Sequence, residues 1–251
     1  MTDFTLINDD CLNAMSDLIG GGAKVDLVLT DLPYGTIQCK WDNPIPFDEM
    51  WSRIHDLTYT DSAILLFGQE PFSSNLRLSN LKDYRYDWIW NKTVGTNFLN
   101  ANRMPLPCHE IISVFYKKLP KYNPQKKYVG IKYNEPITSK RTNNCYGELK
   151  RKPYVDDGYR FPLSVIEFKN NQGECSQSNR VHPTQKPVEL LEYLIKTYSD
   201  EGDIVLDFTM GSGSTGVACK NLNRNFIGIE LDKEYFKIAE ERINNCQTKL
   251  M

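Results

Sequence analysis

Short, mostly apolar runs alternate with amphipathic segments along the first third of the chain. Residues 4–7, 25–29 and 63–67 form runs of the kind expected for strands in a buried sheet. Residues 11–19 and 47–57 instead carry apolar side chains at helical spacing, three or four positions apart. The pattern therefore predicts strands and helices in alternation.

The last third repeats this alternation, after two further strand-like segments in the middle of the chain. Strands that alternate with helices predict an open α/β fold, in which a doubly wound and mainly parallel sheet has helices on both faces. The further predicted strands are 84–90, 111–116, 204–206 and 226–231, and the further predicted helices are 187–195, 214–222 and 233–245.

Charge is distributed unevenly between the middle of the chain and the rest. Residues 117–169 contain 13 Lys and Arg against five Asp and Glu, whereas the whole 251-residue chain has a formal net charge of −2. Six tyrosines are interleaved with these charges. Because basic side chains neutralise phosphates and tyrosine rings stack on bases, the segment is predicted to face a polyanion. A solvated surface insertion is the alternative.

Composition excludes several classes of protein. Thirty basic against 32 acidic residues exclude a wholly basic nucleic-acid-packaging protein. The seven cysteines include no Cys-x-x-Cys pair, and only three histidines are present, which argues against a zinc or disulfide framework and favours a reducing, cytoplasmic location. The longest apolar run, 63–67, is far shorter than a membrane span, and the first residues lack the pattern of a signal peptide.

A glycine-rich loop follows a predicted strand and opens the next helix. Gly211, Gly213 and Gly216 satisfy the spacing G-x-G-x-x-G, and Glu230 ends the following strand, where an acid can bind a ribose. This spacing fits NAD, S-adenosylmethionine or a turn without a ligand. Asp207, in front of the loop, favours the cationic amino group of a methionine moiety over a pyrophosphate.

The tetrapeptide Asp31-Leu32-Pro33-Tyr34 follows the strand at 25–29, at the edge where open α/β sheets bind their ligands. It resembles the Asp-Pro-Pro-Tyr signature of the DNA amino-methyltransferases that use S-adenosylmethionine. Leucine stands where this family usually has proline. The turn therefore keeps the backbone carbonyl at that position and loses some rigidity.

Three other segments support this resemblance: residues 10–12, residues 182–187, and the glycine loop together with residues 226–232. The tetrapeptide precedes the glycine loop, with the basic region between them. This order is similar to that of the β group of these enzymes. The resemblance therefore implies a methyltransferase fold of the S-adenosylmethionine-dependent type that is circularly permuted.

The resemblance implies a site-specific adenine-N6 DNA methyltransferase with S-adenosylmethionine as its cofactor and no metal. An exocyclic amine is a poor nucleophile because its lone pair is delocalised into the base. The carboxylate of Asp31 and the backbone carbonyl of Leu32 would accept its two N–H bonds, so that the lone pair develops on nitrogen. Pro33 would stiffen the turn, and Tyr34 would stack on a target base flipped out of the duplex.

The same resemblance divides the chain into a catalytic domain, 1–118 with 179–251, and a basic target-recognition region inserted at 119–178. Double-stranded DNA is the expected partner, a homodimer and a companion restriction nuclease are further expectations, and no membrane contact is expected. The cofactor pocket is predicted to contain Asp10, Cys11, Asp31, His182, Lys186, Asp207, Phe208, Met210, Gly211, Ser212, Gly213, Ser214, Glu230 and Leu231. The predicted DNA contacts are Asn97, Arg103, Lys126, Lys127, Lys140, Arg141, Lys150, Arg151 and Lys152.

Several alternatives stay open at this point. Cys11 and Phe208 equally fit core packing, and His182 fits a structural role at the entry to a helix. An aspartate rather than a serine at position 31 favours adenine, with a cytosine-N4 DNA or an RNA-adenine methyltransferase as the nearest rival. An NAD-dependent oxidoreductase would explain the glycine loop and Glu230 but leave the tetrapeptide unexplained. A catalytically silent DNA-binding protein of the same fold is the third alternative.

Overall fold

The computed structural model describes residues 2–35, 42–133, 155–170 and 185–246. Its strands are β1 (Phe4–Asn8), β2 (Val25–Asp31), β3 (Thr58–Gly68), β4 (Tyr84–Asn91), β5 (His109–Phe115), β6 (Lys127–Tyr128), β7 (Tyr159–Arg160), β8 (Val165–Glu167), β9 (Ile204–Asp207) and β10 (Asn225–Glu230). Its helices are α1 (Cys11–Gly20), α2 (Phe47–Leu57), α3 (Phe72–Ser79), α4 (Val188–Tyr198), α5 (Ser214–Asn221) and α6 (Lys233–Asn245).

Within the described residues, eight of the strands form one sheet in the order β1-β10-β9-β2-β3-β5-β4-β8. The first five strands in this order are mutually parallel, whereas β5 runs antiparallel to both of its neighbours. The mainly parallel sheet predicted from the sequence is therefore confirmed. The carboxyl ends of β10, β9 and β2 lie side by side at one edge of the sheet.

Helices cover both faces of this sheet, as predicted for a doubly wound fold. On one face, α4, α5 and α6 pack on side chains such as Leu27 and Leu29 of β2. On the other face, α1, α2 and α3 pack on the opposite side of the same strand, at Val28. Successive strand residues point to opposite faces, so the side chains of the apolar run of β2 are buried on both faces of the sheet. None of the described helices is long and apolar enough to cross a bilayer.

Some elements differ from the sequence prediction. The helix α3 and the strand β8 were not predicted, because α3 buries only Phe72, Ser73 and Leu76 and β8 is three residues long. The strand β3 begins at Thr58, five residues before the apolar run. Pro187 lies just before α4 in an extended conformation, with φ −61° and ψ 130°, and not in the first helical turn.

The chain separates into two compact units, Met1–Asn123 with Ser164–Met251, and Pro124–Leu163. The second unit lies inside the predicted 119–178 insertion, while β8 belongs to the sheet of the first unit. In the second unit β6 pairs with β7. The carboxylate of Asp156 binds both terminal nitrogens of Arg160, at 2.7 and 2.9 Å, and accepts the backbone N–H of Gly158.

Candidate active site

Three neighbouring parallel strands bring acidic residues to one edge of the sheet. Asp31 ends β2, Asp207 ends β9 and Glu230 ends β10. A cavity of about 980 Å³ opens at this edge. The predicted site residues that line it are Asp10, Cys11, Asp31, Leu32, Pro33, Tyr34, Lys186, Asp207, Phe208, Met210, Gly211, Ser212, Ser214, Glu230 and Leu231. The Asp31–Tyr34 turn and the glycine loop therefore face one shared space.

The turn after β2 presents Asp31 with both carboxylate oxygens engaged. The hydroxyl of Tyr34 donates a 2.7 Å hydrogen bond to Oδ1, and the ammonium group of Lys186 binds Oδ2. The Tyr34 ring lies against Phe72 of α3, with the ring centroids 5.0 Å apart. The side chain of Leu32 is buried in the core, so the residue that departs from the family pattern gives the turn an apolar anchor.

A buried network around Asp31 includes three residues that are not among the predicted site residues. Nζ of Lys186 lies 3.3 Å from Oε2 of Glu110, and Nζ of Lys92 lies 2.5 Å from Oε1. Gln69 donates a further hydrogen bond to Oε1 of Glu110, at 3.2 Å. The only signal in the sequence is that Lys92 and Glu110 adjoin the ends of two apolar strands. Their pairing depends on the antiparallel register of β4 and β5.

The pKa values in this network follow from burial and pairing. Burial alone would lower the pKa of Lys186, yet the charges of Asp31 and Glu110 outweigh it and raise that pKa. Burial would raise the pKa of Glu110, but the ammonium groups of Lys186 and Lys92 outweigh it and lower that pKa. Burial raises the pKa of Asp31, and Lys186 opposes this effect.

Asp207 lies at the floor of the cavity and is almost fully buried. The hydroxyl of Thr30 donates to Oδ1 and the hydroxyl of Thr215 donates to Oδ2, each at 2.6 Å. The backbone N–H of Thr209 also donates to Oδ1, at 3.2 Å. Burial raises the pKa of Asp207 to about 6 despite these hydrogen bonds. The carboxylate is thus fixed by hydroxyl donors beneath the glycine loop.

The glycine loop holds Glu230 at the rim of the cavity. The backbone N–H of Gly211 donates to Oε2 of Glu230, and the backbone N–H of Asp232 donates to Oε1, each at 2.8 Å. Gly211 has φ +52°, a conformation that side chains rarely adopt. Arg242 donates to the hydroxyl of Ser212 at 3.0 Å, which ties the loop to α6.

Gly213 does not line the cavity, although the resemblance predicts it in the cofactor pocket. It has φ +77°. A Cβ at Gly213 would lie 2.9 Å from the Cβ of Ala239, and a Cβ at Gly216 would lie 2.4 Å from Cδ1 of Ile243. Real side chains do not approach so closely. The positive φ and the contact with Ala239 therefore require glycine at position 213, whereas a side chain at position 216 would displace the side chain of Ile243.

Other predicted cofactor residues also have structural roles. The carboxylate of Asp10 caps α1 by accepting the backbone N–H groups of Leu12 and Asn13, at 2.9 and 3.2 Å. Cys11 and Phe208 belong to the apolar core that extends beneath the cavity. Burial raises the pKa of Cys11 to about 12, so its thiol stays protonated near neutral pH.

The predicted DNA contacts are exposed or fall outside the described residues. Asn97 and Arg103 are exposed on the loop between β4 and β5, whose tip also exposes Leu99. Lys126 and Lys127 are exposed in the second compact unit. The predicted residues that fall outside the described ranges are Lys140, Arg141, Lys150, Arg151, Lys152 and His182.

Comparison with known proteins gives a concordant result. A family model described as DNA methylase matches residues 25–241. The type II methyltransferase M.HpaI of Haemophilus parainfluenzae is 30% identical over 258 aligned residues, which cover 97% of this chain and 75% of M.HpaI. The crystal structure of the M1.HpyAVI–SAM complex is similar with a TM-score of 0.66 and 26% identity, over 96% of this chain and 99% of that chain. The cytosine-N4-specific PvuII DNA methyltransferase shares the fold, with a TM-score of 0.65 and 14% identity over 99% of this chain and 95% of that chain.

Proposed function

This chain belongs to the DNA methylase family, and from that premise we propose that it transfers a methyl group from S-adenosylmethionine to the N6 amino group of adenine in a specific DNA sequence. The observation that carries the proposal is the cavity that the Asp31–Tyr34 turn shares with the glycine loop and Glu230. Direct transfer of a methyl group requires the donor and the acceptor in one enclosed space. This cavity brings together residues suited to binding the methyl donor and residues suited to binding the acceptor base.

The glycine-loop side of the cavity fits S-adenosylmethionine. The backbone N–H groups of Gly211 and Asp232 hold the carboxylate of Glu230, whose remaining lone pairs can accept the two ribose hydroxyls. Asp207 places negative charge beneath the loop, where it favours a cationic amino group. When bound, the cofactor supplies an electrophilic methyl group on a sulfonium sulfur.

Asp31 and Leu32 act on the target amine. Tyr34 and Lys186 fix the two oxygens of the Asp31 carboxylate, and each oxygen keeps a lone pair for a further donor. Asp31 accepts one N–H of the amine, and the backbone carbonyl of Leu32 accepts the other. The nitrogen lone pair would then be free to form the N–C bond while the S–C bond to the methyl group breaks and the sulfur leaves as a neutral thioether. Asp31 is also the carboxylate placed to take the proton that the methylated nitrogen releases.

The target base reaches this site by leaving the DNA duplex. Adenine N6 is shielded inside paired DNA, so the enzyme must act on a flipped nucleotide. The ring of Tyr34 is supported from behind by Phe72, and it offers the flipped base a flat apolar face. The proposal therefore includes base flipping, with the flipped base entering the cavity that Asp31 and Tyr34 line.

Contacts with double-stranded DNA are assigned to two surfaces. The basic region at 119–178 supplies Lys126, Lys127 and the cationic residues between 140 and 152, which neutralise phosphates. Asn97 and Arg103 project from the loop whose base, at Thr96, lines the cavity. The predicted cytoplasmic setting, homodimer and companion restriction nuclease stay predictions.

Analysis of the reaction product tests the proposal. The purified protein is incubated with unmodified DNA and S-adenosylmethionine carrying an isotopic label, and the DNA is then digested to nucleosides for mass spectrometry. N6-methyladenine supports the proposal. N4-methylcytosine would assign the protein to the cytosine branch, and methylation of RNA alone would exclude DNA as the substrate. The Asp31→Ala variant controls for contaminating enzymes.

A further inference from the structure

A continuous chain of paired charges runs beneath the catalytic turn. Nζ of Lys92 lies 2.5 Å from Oε1 of Glu110, Oε2 of Glu110 lies 3.3 Å from Nζ of Lys186, and Lys186 binds Oδ2 of Asp31. Four separate segments supply these residues: the end of β4, the start of β5, the approach to α4 and the end of β2. Of these four residues, only Asp31 has a charge that the proposed methyl transfer itself requires.

This series of four charged side chains is costly to bury, and its formal charges sum to zero. Lys92, Glu110 and Lys186 expose 6%, 7% and 8% of their surfaces. Well-packed apolar residues of similar volume are often at least as stabilising as buried ion pairs. Packing alone therefore gives no reason for three charged residues in this place. Their common feature is that they lead to the carboxylate of Asp31.

We propose that Lys186 is a positioning residue that keeps Asp31 ionised and oriented, and that Glu110, anchored by Lys92, balances the charge of Lys186. This inference rests on the proposed function, because it assigns Asp31 the work of an ionised acceptor. With Glu110 in place the four groups sum to zero. The cavity then carries no excess positive charge that would oppose a sulfonium or a nitrogen becoming cationic.

The two neighbours act on Asp31 in opposite directions. The ammonium group of Lys186 favours the ionised carboxylate, whereas the negative charge of Glu110 disfavours it. Two further titratable groups of the described residues act near Asp31: Tyr34, which donates to Oδ1, and Asp207, which lines the same cavity. Glu110 also acts on Tyr34, but burial raises the pKa of Tyr34 well above its ordinary value, so the Tyr34 hydroxyl stays protonated in both variants.

Opposite shifts in the pH dependence of kcat are therefore expected from two variants. At saturating DNA and cofactor, Lys186→Met moves the acid limb of the kcat profile to higher pH, by about one unit or more. Glu110→Gln moves the same limb to lower pH, and Lys186→Arg keeps it near the wild-type position. Glu241→Gln makes the same chemical change at an exposed position of α6 and leaves the limb unmoved.

A second measurement reports the ionisation of the Asp31 carboxyl group without requiring catalytic turnover. The carboxyl ¹³C resonance of Asp31 is titrated by NMR in the wild type and both variants, and its midpoint moves in the same two directions. If Lys186→Met does not fold, Lys92→Met replaces it, with a smaller shift to higher pH. Midpoints that move together, or not at all, overturn the inference. A wild-type protein without methyl transfer would instead refute the proposed function, while the NMR titration still decides the coupling.

Discussion

The hydroxyl of Tyr34 donates a 2.7 Å hydrogen bond to Oδ1 of Asp31, three residues earlier in the same turn. The side chain thus combines two tasks, because its ring also lies against Phe72 and faces the cavity. In the proposed reaction, the hydroxyl fixes one oxygen of the acceptor while the ring provides a surface for the base. A substitution that removes one group and keeps the other can separate the two tasks.

Tyr34→Phe is expected to lower kcat by about tenfold or more, because a hydrogen bond to a charged group contributes about 1.5–3 kcal/mol. The KM for DNA should change little, since the ring is retained. Steady-state methylation kinetics provide the measurement. Tyr59→Phe, at a half-exposed position of β3, is the matched control. A change in KM without a change in kcat would assign the hydroxyl to DNA binding.

Asp31→Ala is expected to abolish methyl transfer, with a loss of about 10²-fold or more, because the amine loses its charged acceptor. Binding of S-adenosylmethionine should survive in part, since Glu230 and the glycine loop are untouched. Activity assays and calorimetry of cofactor binding check the two expectations. Asp61→Ala, an exposed change in β3, should leave both unchanged. Full activity of Asp31→Ala would refute the catalytic assignment.

The burial of Asp207 predicts a pH-dependent stability. Burial raises its pKa from 3.8 to about 6, so the folded protein binds this proton more tightly than the unfolded chain. Ionisation therefore costs stability, and the cost grows as the pH rises from about 4 to about 6 and is complete above that range. Asp207→Asn removes this cost. The difference in free energy of unfolding between this variant and the wild type should therefore increase, in favour of the variant, by up to about 3 kcal/mol as the pH rises across this range. Urea unfolding without cofactor measures this gain, and a constant difference would contradict the prediction.

Gly213→Ala is expected to destabilise the fold by about 2 kcal/mol or more, from a strained positive φ and from collision with Ala239. Thermal and urea unfolding provide the measurement. Gly20→Ala is the matched control, because a Cβ at this last residue of α1 meets nothing within 4 Å. It should be neutral or stabilising, by up to about 1 kcal/mol. Equal effects of the two changes would show that neither packing nor backbone conformation requires glycine at position 213.

Replacement of Lys150, Arg151 and Lys152 by alanine is expected to weaken DNA binding and to reduce the slope of log K against log salt by about 2 to 3, because each phosphate contact contributes about 0.9. Fluorescence anisotropy at several salt concentrations gives the slope. Lys82→Ala with Lys237→Ala, both at exposed positions of the first unit, should leave it unchanged. An unaltered slope in the triple variant would place the DNA on another surface.

Local patterns were sufficient to predict most of the fold and the two short motifs that line the cavity. Apolar runs and helical spacing fixed the strands around Leu27 and the helices on both faces, because burial leaves a periodic trace in the sequence. The resemblance drawn from the Asp31–Tyr34 tetrapeptide and the glycine loop is confirmed by the family match over residues 25–241. Both motifs are short and contiguous, so one sequence suffices to recognise them.

The remainder of the site depends on contacts between distant segments. Glu110 meets Lys186 across 76 positions of the chain, and no periodicity records such a pair. Gly213 satisfied a ligand-binding pattern, yet its neighbour in space is Ala239 of α6. The same residue type serves a close approach to a ligand and a close approach between helices. Only the tertiary arrangement distinguishes these two demands.

The reversed direction of β5 has a consequence for engineering. β5 runs antiparallel to β4, so the end of β4 and the start of β5 lie at the same edge of the sheet. The connection at 92–108 therefore leaves and re-enters the sheet at the edge that carries the Asp31–Tyr34 turn. Extra residues grafted at its exposed tip, near Leu99, would extend a connection that lines the cavity at Thr96, while every strand keeps its register. Laboratory evolution of new sequence preferences therefore has a starting point in this connection as well as in the basic region.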